Sequence, residues 1–204
     1  MEKKSNNEKD QLLNKFNDHT LSAIELNSVG NAFRRLDEYE LAEKAFLKSI
    51  ELNPSYDAPY AHLISLYAKL NKFDLCEEIY QKGSKSATEK TYIMYHDGRS
   101  RFLRGDYSGS LMAGRCILID DQWQNEEAIV MVIESLVMLI KKKQSIDPDI
   151  DLQEASVAWK RGLSLFPDSE ELLRYSNMFA AWEKVVKENQ KKTPQATANS
   201  NRHT

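Results

Sequence analysis

An all-α solenoid is predicted, and three features of the 204-residue chain carry that prediction. Apolar residues recur at spacings of three and four, as in Leu41, Ala45, Phe46, Ile50 and Leu52, which marks amphipathic helices. Equivalent slots are refilled every 34 residues, the sign of a repeat architecture rather than one irregular helical domain. Turn-prone pairs keep the same period: Leu36-Asp37, Leu70-Asn71 and Arg104-Gly105, each followed by an aromatic residue at Tyr39, Phe73 and Tyr107. Each unit is therefore a helix, a tight bend and a second helix.

Three units are in phase, at 23–56, 57–90 and 91–124. Leu26, Tyr60 and Met94 fill one large apolar slot. Ala42, Cys76 and Ser110 fill a small one after the bend, where two helix backbones must approach closely. Gly30 and Gly98 share a slot in the first helices of their units, making room for a neighbouring helix at some cost in propensity, and Ile64 takes it in the middle unit. Asn53-Pro54 ends the second helix of the first unit.

A fourth unit, at 125–168, is out of phase. Its second helix fits through Ala155, Trp159, Leu163, Leu165 and Pro167, but counting back sets its start near Leu136, so about eleven residues are extra. They are expected in a lengthened first helix over 126–142 and an insertion near 141–151, where Asp147-Pro148-Asp149 reads as a turn. A capping helix is expected over 169–188, starting at Ser169-Glu170-Glu171 and carrying Leu172, Leu173, Tyr175, Met178, Phe179 and Trp182. The repeat domain thus covers 21–190. An N-terminal segment, 1–20, has a short helix expected over 8–16, and 191–204, almost without apolar residues, is expected to be a disordered tail.

Leu26, Val29, Gly30, Phe33, Tyr39, Ala42, Phe46, Ile50, Leu52 and Pro54 resemble a tetratricopeptide repeat at nearly every signature position. The second unit is similar through Tyr60, Leu63, Tyr67, Phe73, Cys76 and Tyr80, and the third through Met94, Gly98, Gly105, Tyr107 and Ile117. In the third, Arg101 and Gly114 stand where the family has aromatic residues. The resemblance implies a right-handed α-α superhelix of about four repeats plus a capping helix. It also implies one continuous core, and a concave groove, lined by the first helix of each repeat, that binds protein partners.

Helical spacing then names the groove: Asn27, Asn31 and Arg34 from the first unit, His62 and Ser65 with Ala58 and Ala61 from the second, Tyr92, Tyr95, His96 and Arg99 from the third. Asn side chains can bond a peptide backbone, Arg a carboxylate, and Tyr offers apolar contact with a polar tip. An extended ligand with an acidic group is the expectation. Related domains that serve the large heat-shock chaperones use a basic carboxylate clamp. Its slots hold Asn27, His62, Tyr92 and His96 here, and only Asn31 agrees with the clamp.

Other functions find little support in the sequence. A net charge of −3 disfavours phosphate-backbone binding, so no nucleic acid is expected. Cys76 and Cys116 lie forty residues apart without metal-ligand or redox spacing. No catalytic motif and no cofactor motif occurs, so neither catalysis nor a cofactor is expected. The acidic pairs Glu77-Glu78, Asp120-Asp121 and Glu126-Glu127 read as solvated helix ends and faces. His62 and His96 occupy one slot of adjacent repeats, which suggests partner contact or packing, with a pH switch near 6 as an alternative and no metal expected. The run 128–140 is too short to span a bilayer, and no apolar stretch follows the charged N-terminus, so a cytoplasmic location is expected.

The reading is a non-catalytic interaction module for a protein or peptide partner. Dedicated chaperones of bacterial type III secretion resemble the chain in size, acidity and repeat number and give one alternative. RNA binding by helical repeats gives another. Ile129, Ile133, Leu136, Val130, Val132, Val137 and Ile140 surround one helix of the fourth unit with apolar surface. It is either buried within the chain or open to a partner helix or a second copy in a homodimer.

Overall fold

A computed structural model describes residues 2–18 and 20–192. Among them are eleven helices and no strand. The leading helix α1, Glu2–Phe16, begins earlier than expected because 2–7 lack the apolar spacing by which a helix is recognised. Four helical hairpins follow: α2 (Ala23–Arg35) with α3 (Tyr39–Leu52), α4 (Ala58–Lys69) with α5 (Phe73–Ser86), α6 (Thr91–Leu103) with α7 (Tyr107–Asp120), and α8 (Glu126–Lys141) with α9 (Pro148–Leu165). The chain closes with α10 (Glu170–Leu173) and α11 (Ser176–Lys192). The hairpins stack into a right-handed α-α superhelix. Its first helices touch in series, α2 on α4, α4 on α6 and α6 on α8, and so form the inner, concave layer.

The bends explain why the period is visible in sequence. Asp37, Asn71 and Gly105 have φ of 58°, 57° and 87°, the left-handed region that these three residue types tolerate best. After each, an N–H reaches back five residues, from Glu38 to Phe33, Lys72 to Tyr67 and Asp106 to Arg101, tying off the helix end. The small slot is buried in all three units, Ala42 and Ser110 completely. At Gly30 a Cβ would lie 2.6 Å from the Phe46 ring, so that helix pair closes only over glycine.

The fourth unit distributes its surplus differently from expectation. One residue precedes α8, α8 has 16 residues against 13 in α6, the following loop is longer, and α9 has 18 against 14 in α7. Asp147-Pro148-Asp149 is a helix start, not the turn expected in the insertion near 141–151. The Asp147 carboxylate accepts from the N–H groups of Asp149 (3.1 Å) and Ile150 (3.2 Å), and Pro148 sits where a helix has no use for an N–H. The capping helix expected as one piece over 169–188 breaks between α10 and α11. There the Leu172 carbonyl accepts from the Tyr175 N–H at 3.2 Å, a tighter three-residue turn, and also from the indole N–H of Trp159 at 3.0 Å. Lys191 and Lys192 continue α11, and the rest of the expected tail lies outside the described residues.

The core is divided, against the expectation of one continuous core. One cluster joins the first two units from Leu21 to Ile93, and a second joins the last two from Leu111 to Phe179. Between them lies a polar layer from the third unit. Asp97, only 4% exposed, accepts from Arg101 Nε at 2.7 Å, and Arg101 also donates to Glu77 at 2.7 Å. Arg101, the residue that departs from the aromatic pattern, is thus part of a salt-bridge network where its counterparts Phe33 and Tyr67 supply apolar packing.

The apolar helix α8 is buried inside the chain. Ala128 through Ile133, Leu136, Val137 and Leu139 are all covered, by α7 and α9 on either side and by Leu172 and Phe179 of the cap. The face that made a second copy of the chain a candidate partner is occupied.

Candidate partner-binding groove

The concave side is built on α2, α4, α6 and α8, so residues at helical spacing on these four helices face a common groove. His62 and His96, in one slot of α4 and α6, anchor its floor. A run of rings crosses it: Phe46 and His62 have centroids 5.4 Å apart, His62 and Tyr92 6.2 Å, Tyr92 and His96 4.7 Å, and His96 and Tyr95 5.3 Å. The last three pairs meet edge to face, the arrangement that aromatic quadrupoles favour. Tyr92 keeps 41% of its surface exposed, so the row ends in open groove.

Asn27 is corrected by this geometry. It is buried, its amide donates to the Tyr56 hydroxyl at 3.2 Å, and its Oδ1 lies 2.9 Å from His62 Nδ1. The side chain expected to bond a peptide backbone is used inside the floor, where it orients the imidazole. Asn31 donates to the Asn27 carbonyl at 3.3 Å and stands 3.1 Å from the same imidazole nitrogen. Ser65 is half-buried beside them in sequence spacing, and Ala61 is fully buried.

Both histidines are held neutral. Burial, and after it the positive charge of Arg34, lowers each to about 4, with each other's charge a further cause at His62. Burial thus argues against titration of either ring near pH 6. Among the described residues no group of three His, Cys, Asp or Glu side chains is placed to hold a metal ion.

The two expected arginines differ. Arg34 is half-buried, with no carboxylate partner among the described residues, and its field reaches His62, His96 and Tyr92. Arg99 donates to Glu134 of α8 at 2.5 Å and is not free. Glu134 also takes the guanidinium of Arg174, which reaches Glu171 at 3.0 Å. These four charges, with Glu126 and Glu127, line a cleft of about 320 Å³. A neighbouring cleft of about 410 Å³ lies against Tyr92 and Tyr95 and is bordered by Asp57, Glu89 and Glu127. Spacing alone missed these carboxylates. Glu127 looks like any acid in a first helical turn, and Asp57 and Glu89 lie at or before helix starts, off the face that periodicity selects.

Comparison with known proteins agrees with the architecture. A family profile described as tetratricopeptide repeat matches residues 26–56. Among solved structures, Pseudomonas aeruginosa pilF superposes with a TM-score of 0.64 at 14% identity, over 82% of this chain and 72% of that one. MamA from Desulfovibrio magneticus RS-1 gives 0.57 at 14% identity, over 78% and 84%. PilW, described as a type IV pilus biogenesis factor, gives 0.50 at 12% identity, over 83% and 90%. At these identities the likeness is one of fold. No curated protein sequence matches the chain.

Proposed function

We propose that the chain, which has the tetratricopeptide-repeat fold and matches that repeat at residues 26–56, works by binding, without catalysis, and that its ligand is a peptide segment of a partner protein lying in the concave groove across α2, α4 and α6. The observation that carries this reading is the neutral aromatic row His62, Tyr92, His96 and Tyr95, open to solvent at Tyr92 and flanked by the unpaired Arg34. A flat row of rings gives contact area at small cost in side-chain entropy, and a groove shared by successive repeats suits an extended ligand. Asn31, Arg34, His62, Ser65, Tyr92, Tyr95 and His96 form the proposed site; Asn27 and Arg99 shape it from within.

The acidic carboxylates on the groove's edge disfavour a phosphate backbone as ligand, which ranks RNA below a peptide. Phage-displayed random dodecapeptides selected on the chain test the reading. Selected peptides should lose binding to a Ser65→Trp variant, which plugs the groove at α4. Peptides that bind the folded plug variant as well as they bind the native chain would place the binding surface elsewhere.

A further inference from the structure

The groove is not electrically uniform, and its asymmetry specifies a ligand. In the cleft lined by Arg99 and Arg174, the arginines pair with Glu134 and Glu171, and Glu126 and Glu127 complete its wall. The adjoining cleft against Tyr92 and Tyr95 shares Glu127 with the first but has no basic side chain among its described lining residues. Asp57 is the N-cap residue of α4, yet its side chain makes no capping bond. Glu89 and Glu127 are exposed and, with Asp57, have no hydrogen-bond or ion-pair partner among the described residues. By contrast, Asn125 on the same rim caps α8 through Ala128 N–H at 2.8 Å, and Glu126 accepts from Ser169. Attraction to the positive end of a helix explains one acid per helix start. It does not explain why acids beside the starts of three first helices, α4, α6 and α8, border one cavity whose wall is aromatic.

Three uncompensated carboxylates beside two tyrosine rings have one chemical complement. A cation on a flexible apolar stem can lay the stem along the rings, set its charge within their attractive field and be neutralised by the carboxylates. We propose that this cleft receives a lysine or arginine side chain of the bound peptide, held over Tyr92 and Tyr95 by Asp57, Glu89 and Glu127. The inference rests on the groove reading above and adds a register to it: the basic residue sits at the edge where α4, α6 and α8 begin.

The selected dodecapeptides supply the test. Lysine or arginine should be enriched at one position of the aligned sequences. Replacing that residue by methionine in a synthetic peptide, or D57N, E89Q and E127Q together in the full chain, should weaken binding roughly tenfold. The two changes combined should cost little more than either alone, and the triple variant's circular dichroism should match the native chain. Peptides that are lost on S65W but carry no basic excess, and bind the triple variant unchanged, would overturn this inference and leave the groove reading standing. Peptides indifferent to S65W, or no enrichment at all, would overturn both.

Discussion

Glu134 on α8 accepts the Arg99 guanidinium from α6 at 2.5 Å, locking the third repeat to the displaced fourth. Glu134 has only 16% of its side chain exposed, so removing it leaves two arginines facing a half-buried space without a counter-charge. Glu134→Ala should therefore destabilise the chain by about 2 kcal/mol in urea denaturation, more than an exposed ion pair would. Arg99→Glu should unsettle the same junction, so lost binding in that variant would not by itself implicate Arg99 in contact with the ligand.

The histidines make a pH prediction of definite sign. His62 and His96 titrate near 4 in the folded chain, below the unfolded value, so the unfolded chain binds more protons once pH falls through about 6.5. Their contribution to stability is complete above that pH and is lost progressively down to about 4. Imidazole resonances followed by NMR should show both rings neutral at pH 5.5. Peptide affinity should be flat from pH 7.5 to 5.5 as far as these groups govern it; a midpoint near 6 for either ring would contradict the burial and Arg34 field described.

Gly30 offers a packing prediction. Gly30→Ala improves helix propensity by about 1 kcal/mol but sets a Cβ 2.6 Å from the Phe46 ring. Displacing a fully buried phenyl costs more, about 1–3 kcal/mol, so the net effect on thermal stability should be a loss. Adding Phe46→Leu should recover part of it.

The bend position predicts a contrast within one slot. At φ of 57°, Asn71→Gly should be neutral or slightly stabilising, whereas Asn71→Val, a β-branched residue in the left-handed region, should lower the unfolding free energy measured by urea denaturation by about 1–2 kcal/mol.

These cases show where the sequence is legible. The bend residues Asp37, Asn71 and Gly105 and the small slot Ala42, Cys76 and Ser110 are local demands of backbone conformation and close approach, so they recur in register. The fourth unit's surplus was countable, but not its placement, because Asp147-Pro148-Asp149 serves a helix start as well as a turn. The groove was half legible. Spacing brings His62 and His96 to one floor, yet it could not tell that Asn27 turns inward to that floor, nor that Arg99 is claimed by Glu134 35 residues on. The acidic edge was invisible because its members lie at or just before the starts of three different helices, α4, α6 and α8.

The central claim is that α2, α4 and α6 present the working surface. The most direct measurement is NMR chemical-shift mapping of the isotope-labelled chain titrated with the most enriched dodecapeptide. Perturbations should concentrate on Asn31, Arg34, His62, Ser65, Tyr92, Tyr95 and His96. Perturbations confined to the outer helices α3, α5 and α7, with these residues unmoved, would contradict it.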